Sequence, residues 1–324
     1  MNIFFDLLIA IGMIITAFPA VILLYSSFKR PESWEYTHKK ITYIFSSLLF
    51  ACTLTLIWGS FIEPRILVVK EYTQDIQQIK KPVRIAFVSD IHMGIYKQTE
   101  WMKKIIEKIK TLNPDMVILG GDQIDNDIYN PAELIYLEPL RELAKDYPVY
   151  TIHGNHEYGI RGGKSVSDPK YRAADISKEA RKRMEDIGVI YLVNQVELVT
   201  VEEQTFYLFG GDEYWNHTLD FSTIQNREKK DIPVIGVVHN PSFITETYPY
   251  DVPLWLSGHT HGGQIRLPFV GPIGRADSVL STRYYKGLQE LPNTQHILIS
   301  SGAGETGARA RLFNPPEIVF LTIY

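Results

Sequence analysis

Two stretches of 22 residues, 7–28 and 41–62, carry no charged side chain. At about 1.5 Å of helical rise per residue, each is long enough to cross a hydrocarbon core of roughly 30 Å. Tyr25, Tyr43 and Trp58 stand near their ends, where amphipathic rings favour the headgroup level. A cleaved leader suits the first stretch poorly, because Asp6 occupies the place of a positive n-region. The sequence therefore predicts a membrane anchor over residues 1–65 with two transmembrane helices at about 7–28 and 41–62. A linker at 66–80 and a folded domain at 81–324 follow.

Loop charges set an expected orientation. Lys29, Arg30, Lys39 and Lys40 lie between the two stretches, whereas the N-terminal tail has no Lys or Arg. The positive-inside tendency puts that connection in the cytoplasm and the large domain outside. Arg65, Lys70, Lys80 and Lys81 pull the other way, so a cytoplasmic domain is the alternative.

Beyond residue 81 the pattern changes to short apolar runs alternating with amphipathic segments. Val83 to Ser89, Met116 to Gly120, Val149 to Ile152, Val234 to Val238 and Leu254 to Ser257 read as buried strands. Thr99 to Leu112 places Trp101, Met102, Ile105, Ile106, Ile109 and Leu112 at helical spacing, and 131–145 and 173–187 read the same way. Alternating strands and helices predict an α/β core whose functional groups gather beyond the carboxyl ends of the strands. With 45% hydrophobic and 22% charged residues the chain can bury such a core. A formal net charge of -4 offers no basic footprint, so no nucleic acid is expected as a partner.

Each predicted strand is followed by polar residues of one chemical kind. The segments are Asp90-Ile91-His92, Gly121-Asp122, Gly154-Asn155-His156-Glu157, His239-Asn240 and Gly258-His259-Thr260-His261. Cys52 is the only cysteine, so a metal here is held by nitrogen and oxygen. Such donors suit Mn²⁺, Fe or Zn²⁺, and a pair of these ions about 3.5–4 Å apart needs a bridging oxygen. Asp90 and His92, two apart at a strand end, are expected to project to one side and serve the first ion. Asp122 is the candidate bridge, Asn155, His239 and His259 complete the second ion, and His261 returns to the first.

In this order the segments resemble the calcineurin-like metallophosphoesterase superfamily, whose pattern is Asp-x-His, Gly-Asp, Gly-Asn-His-(Asp/Glu), His and Gly-His-x-His. The likeness covers roughly residues 81–324, and GHTHGGQIRL at 258–267 further resembles the membrane-associated bacterial subgroup. It implies an α/β, four-layer metallophosphoesterase sandwich, two mixed β-sheets face to face with helices outside, binding two divalent metal ions. It also implies that His156 is the general acid. Glu157 is then either a carboxylate that orients His156 or a solvent-facing residue, and Asp125 and Asp127 are left as residues flanking the bridge or on the surface. Where the family's protein phosphatases carry arginines, this chain has Asn126 and His153, which disfavours a phosphoprotein substrate.

The resemblance leads to a membrane-anchored phosphohydrolase cleaving a phosphodiester or pyrophosphate, of a phosphorylated small molecule or a lipid. Alternatives are a UDP-2,3-diacylglucosamine pyrophosphatase of lipid A assembly at the cytoplasmic face and a non-catalytic metal-binding scaffold. Arg161, Arg266 and Arg275 are candidate phosphate contacts, with Arg309 and Arg311 behind them. Gly302-Ala303-Gly304-Glu305-Thr306-Gly307 fits a dinucleotide fingerprint, yet Asn314-Pro315-Pro316 leaves no room for the helix that motif requires. A loop of close backbone approach is the expectation there.

Overall fold

A computed structural model describes residues 2–126, 131–201, 203–246, 248–249, 251–275, 277 and 279–324. Asp127 lies outside the described residues. The strands are β1 (Val68–Gln74), β2 (Val83–Val88), β3 (Met116–Leu119), β4 (Val149–Thr151), β5 (Ile190–Tyr191), β6 (Gln195–Val201) and β7 (Gln204–Gly210), followed by β8 (Val234–Val237), β9 (Leu254–Ser257), β10 (Arg266–Leu267), β11 (Gly271–Pro272), β12 (Gly287–Glu290), β13 (His296–Ile299) and β14 (Glu317–Ile323). They form two six-stranded sheets, ordered β1-β14-β2-β3-β4-β5 and β12-β13-β9-β8-β7-β6, and a small β10-β11 ribbon. Both large sheets are mixed: β2 to β5 run parallel while β14 opposes β2, and β7, β8, β9 and β13 run parallel between antiparallel edges.

Strand alternation builds the layers. Along β2, Val83, Ile85 and Phe87 meet Leu208, Ile235 and Leu256 of the facing sheet, while Ala86 and Val88 turn outward onto Met102, Ile105 and Ile109. Those last three lie on the helix Thr99–Leu112, which has the bounds its periodicity predicts and ends at Asn113 in the left-handed conformation. The outer face of the second sheet differs from the expected helical layer. Its Phe209, Trp255 and Ile299 pack beneath Phe243, Tyr248 and Val252, carried by the short turn Pro241–Thr245 and the loop after it.

Two other expectations are corrected. The stretch 66–80 is no linker: β1 pairs in parallel with β14, and Ile76 and Ile79 are buried in the core between the sheets. The segment 131–145 is not one helix, since a 3₁₀ turn over Pro131–Leu137 gives way at Pro139 to a helix over Leu140–Asp146. The third expected helix forms over Ser177–Asp186, shorter than its pattern.

The two uncharged stretches are helices, Asn2–Lys29 and Lys39–Ile57, the second continuing through a π turn, Trp58–Ile62, and a 3₁₀ turn, Glu63–Arg65. They pack against each other: Thr16 and Thr53 share a hydroxyl hydrogen bond of 2.7 Å, and the rings of Phe28 and Tyr43 lie 6.0 Å apart. Both are long and apolar enough to cross a membrane, and their outward residues, among them Ile14, Phe18, Leu48 and Leu54, are exposed.

Candidate metal centre

The candidate ligands sit on loops just beyond β2, β3, β4, β8 and β9, and all seven are buried. Asp90 (φ 51°), His92 (48°), Asp122 (52°), His259 (66°) and His261 (50°) have left-handed backbones, which side-chain-bearing residues seldom adopt. Asp90 and His92 therefore converge through a strained turn and not through strand alternation, because β2 stops at Val88. Strain of this kind persists only where the surroundings impose it, and it gathers at functional sites. Glycines let the loops close on one another. A Cβ on Gly154 would lie 2.2 Å from Asp122 Oδ1, and one on Gly258 would lie 1.7 Å from Ser89 Oγ.

Two groups of donors emerge. In the first, His261 Nε2 lies 3.4 Å from Asp90 Oδ1 and 3.0 Å from His92 Nε2. In the second, His239 Nε2 lies 3.2 Å from Asp122 Oδ2 and 3.9 Å from Asp90 Oδ1. His92 Nε2, at 3.6 Å from Asp122 Oδ2, ties the groups together. His259 and Asn155 join as a pair, with Nδ1 and Oδ1 2.8 Å apart, and the His259 ring lies 5.4 Å from that of His239.

Two imidazole nitrogens 3.0 Å apart suit neighbouring positions around one ion at about 2.0–2.1 Å from each. His239 Nε2, His259 Nε2, His92 Nδ1 and His261 Nδ1 are buried without a hydrogen-bond partner in the protein. Buried polar atoms are ordinarily satisfied, and His239 Nε2, partnerless yet beside the Asp122 and Asp90 carboxylates, fits a divalent cation there. The electrostatics divide: against burial, Asp122 raises His239 well above its ordinary value and Asp125 with Asp122 raises His92, while burial raises Asp90. Burial alone would raise the Asp122 carboxyl, but His239, His156 and His92 hold it well below the usual carboxylate range. Burial, reinforced by His239, lowers His259 to about 3, and burial with His92 beside it puts His261 well below its ordinary value, which keeps both neutral as ligands must be.

His156 is held at both ends of its residue. Its backbone N–H donates to Asp122 Oδ1 at 2.8 Å, and its Nδ1 lies 2.6 Å from the Asp125 carbonyl. Nε2 faces the hydroxyl of Thr306 at 3.5 Å. Asp125, left open by the sequence, also brings Oδ1 within 3.6 Å of His92 Nδ1.

Glu157 neither faces solvent nor hydrogen-bonds His156. Its buried carboxylate accepts from the backbone N–H of Gly154 at 2.7 Å, Gln123 at 2.9 Å and Asp122 at 3.2 Å, stitching the loops after β3 and β4 together. Burial and the Asp122 charge push it up to about 7. Asn126 ties the same region through bonds of 2.9 Å to the carbonyls of His156 and Ala174, and His153 meets the Tyr191 hydroxyl at 2.7 Å.

The candidate phosphate arginines divide. Against burial, His92 chiefly lowers the Asp125 carboxyl, with Arg161 adding a smaller pull, and Arg275 shares a cavity wall with His261 while donating to the Leu280 carbonyl at 3.0 Å. Arg266 donates to the Gly262 carbonyl at 2.6 Å. Arg311 is a structural residue, fully buried and donating to the carbonyls of Ser301 and Gly302 at 2.8 and 3.2 Å. Arg309 ion-pairs with Asp6 and stacks 3.5 Å from the Tyr96 ring centroid. The glycine-rich loop 302–307 approaches the site closely, with Ala303 N and Gly304 N donating to the carbonyls of Ser89 and Asp90 at 2.9 and 2.6 Å. Sequence reasoning missed Thr306, whose place depends on that loop's return to Asp90.

The profile of calcineurin-like phosphoesterases matches residues 83–263. Among curated relatives, an uncharacterized metallophosphoesterase of Campylobacter jejuni is 29% identical over 256 residues, covering 79% of this chain and 63% of its own. Metallophosphoesterase YkuE of Bacillus subtilis is 28% identical over 281 residues, 82% of this chain and 88% of that protein. Phosphodiesterase YaeI of Escherichia coli is 27% identical over 247 residues, 75% and 82% respectively. The chain thus spans less than two thirds of the Campylobacter protein's length and most of the other two.

Proposed function

The chain belongs to the calcineurin-like phosphoesterase family, and on that premise we propose that it is a membrane-anchored two-metal phosphohydrolase. Its substrate is a phosphodiester or pyrophosphate of a lipid-linked or cell-envelope molecule. The observation that carries the reading is the convergence of buried side chains in two groups, Asp90 with His92 and His261 and Asp90 with Asp122 and His239, whose ligand atoms lie within 4.8 Å of one another. Asp90, His92 and His261 would hold one ion, and Asp122, Asn155, His239 and His259 the other, with Asp122 shared. When bound, such ions supply Lewis-acid polarisation of the phosphoryl group and activation of water near neutral pH.

The chain's own residues handle the leaving group. The Asp125 carbonyl accepts the Nδ1 hydrogen of His156 and fixes the ring, so the imidazolium form carries its second hydrogen on Nε2, delivers it to the departing oxygen and is left neutral with Nδ1 still protonated. Asn126 and Glu157 hold the two loops in register, so the ring and the shared carboxylate keep one geometry. The place of Asn126 and His153 in internal hydrogen bonds supports a substrate other than a phosphoprotein.

The apolar outward faces of the helices Asn2–Lys29 and Lys39–Ile57 support anchoring, since a core helix of a soluble protein would be covered. With Lys29, Arg30, Lys39 and Lys40 in the connection, the hydrolytic domain lies outside the cytoplasm. A topology reporter fused after Tyr324 tests this. A cytoplasmic readout would reverse the orientation and restore the nucleotide-lipid alternative. The activity is tested on the purified full chain loaded with Mn²⁺, using bis-p-nitrophenyl phosphate. Turnover is expected, and its absence in protein holding metal would favour a binding scaffold.

A further inference from the structure

The ribbon β10-β11 exposes the apolar side chains that a soluble surface would hide. Phe269 and Val270 form its tip, fully and 72% exposed, and Ile273, 60% exposed, follows β11. Arg266 and Arg275 flank this tip in sequence, and each donates back into the domain, to the Gly262 and Leu280 carbonyls, which leaves the tip itself purely apolar.

The ribbon is continuous with the membrane-anchoring end of the molecule. Arg266 N donates to the Leu312 carbonyl at 2.9 Å, and Ile265 bridges Leu312 in parallel. The neighbouring Arg311 N donates to the Gly59 carbonyl at 2.8 Å, and Phe313 N donates to Glu63 Oε2 at 3.0 Å, both at the end of the second helix. Asp6, near the start of the first helix, pairs with Arg309 on the same segment. Both helices therefore meet the domain at 309–314, and β10 lies beside that junction.

Beside the ribbon lies a cavity of about 450 Å³ that touches both the metal centre and the apolar residues. Its lining includes His261 and Thr306 together with Ile265, Ile273 and Ala308. We propose that the ribbon 266–273 dips into the bilayer that carries the two helices and that this cavity receives the aliphatic chain of a lipid whose phosphoester reaches the metal centre. The proposal rests on the phosphohydrolase reading for its chemistry and on the helical anchor for its surface.

Two measurements on the full chain in phosphatidylglycerol nanodiscs test it. With Cys52 replaced by serine, an environment-sensitive fluorophore is placed by Phe269→Cys or, as control, by Lys229→Cys, which precedes the amino end of β8 away from the metal loops. Quenching of position 269 by doxyl-labelled lipid and its protection from iodide, with the reverse at 229, is expected. Equal iodide access at both positions would overturn insertion.

Alkyl phosphates then probe the cavity as inhibitors of bis-p-nitrophenyl phosphate hydrolysis. Hexyl phosphate should inhibit at least tenfold more tightly than methyl phosphate, because buried methylenes leave water, and Ile273→Asp should erase that preference. Equal inhibition by the two compounds in the unsubstituted protein would overturn the chain-binding role. Failure to hydrolyse the soluble diester at all would strike the phosphohydrolase reading, while the depth measurement would still decide insertion.

Discussion

Two regions of this chain invert the usual distribution of side chains, in opposite senses. Around the loops after β2, β3, β4, β8 and β9, carboxylates and imidazoles are buried, although such groups normally face water. Along the two N-terminal helices and the tip of the β10-β11 ribbon, large apolar groups are exposed. Each inversion would be costly in water alone: unpaired buried nitrogens forgo hydrogen bonds, and contiguous apolar surface promotes association. The comparison teaches that neither region is shaped for water alone: the first gathers donors that fit cations, and the second, on the proposed anchoring, would meet hydrocarbon.

The largest effect that could break the polar half of this comparison is expected from Asp122→Asn. Asp122 contacts both donor groups, so the purified variant should lose two-metal occupancy, read by elemental analysis, and hydrolyse bis-p-nitrophenyl phosphate only at background. Full occupancy would show that the carboxylate is not shared. His156→Ala should separate binding from proton delivery by retaining both ions while turnover falls a hundredfold or more, on the order expected for losing a general acid. Undiminished turnover would remove His156 from that role.

A smaller effect is expected from Glu157→Gln. At pH 8, above the value near 7 to which burial raises Glu157, the carboxylate accepts three backbone N–H bonds at 2.7–3.2 Å, and charge-assisted bonds of this kind contribute about 1.5–3 kcal/mol, whereas a neutral amide keeps only part of them. The thermal midpoint should fall and metal affinity weaken, with residual turnover above that of Asp122→Asn. A variant as stable as the parent would show that the loops hold without this link.

How much of this could be read from the sequence follows from where the information lies. The candidate ligands were legible because each residue type recurs at the end of an apolar run, and the helix Thr99–Leu112 because its six apolar residues keep one spacing. What escaped depends on contacts between distant segments. Asp125 serves His156 through its backbone carbonyl, an atom every residue possesses, and Thr306 arrives only because Gly304 folds back on Asp90. Strand β1 was hidden since an edge strand with Lys70 and Glu71 exposed lacks the apolar run of its neighbours. The glycine-rich loop shows the converse, a familiar pattern whose following residues deny it the usual partner.

The smallest effect distinguishes two ties between the helices and the domain. Glu63 is buried, and its carboxylate accepts from Trp58 Nε1 at 2.7 Å, Phe313 N at 3.0 Å and Asn314 N at 2.5 Å. Asp6 pairs with Arg309 in the open, its side chain 57% exposed. Solvent screening leaves exposed pairs about 0–1 kcal/mol, while a buried acceptor that loses its charge costs more. Glu63→Gln should therefore speed amide exchange at 311–314, and Asp6→Asn should leave it close to the parent. If Asp6→Asn loosened the segment as much as Glu63→Gln, the joint beside the apolar ribbon would be held from the first helix, and the continuity from β10 through Leu312 to Gly59 would not be what positions the ribbon relative to the two helices.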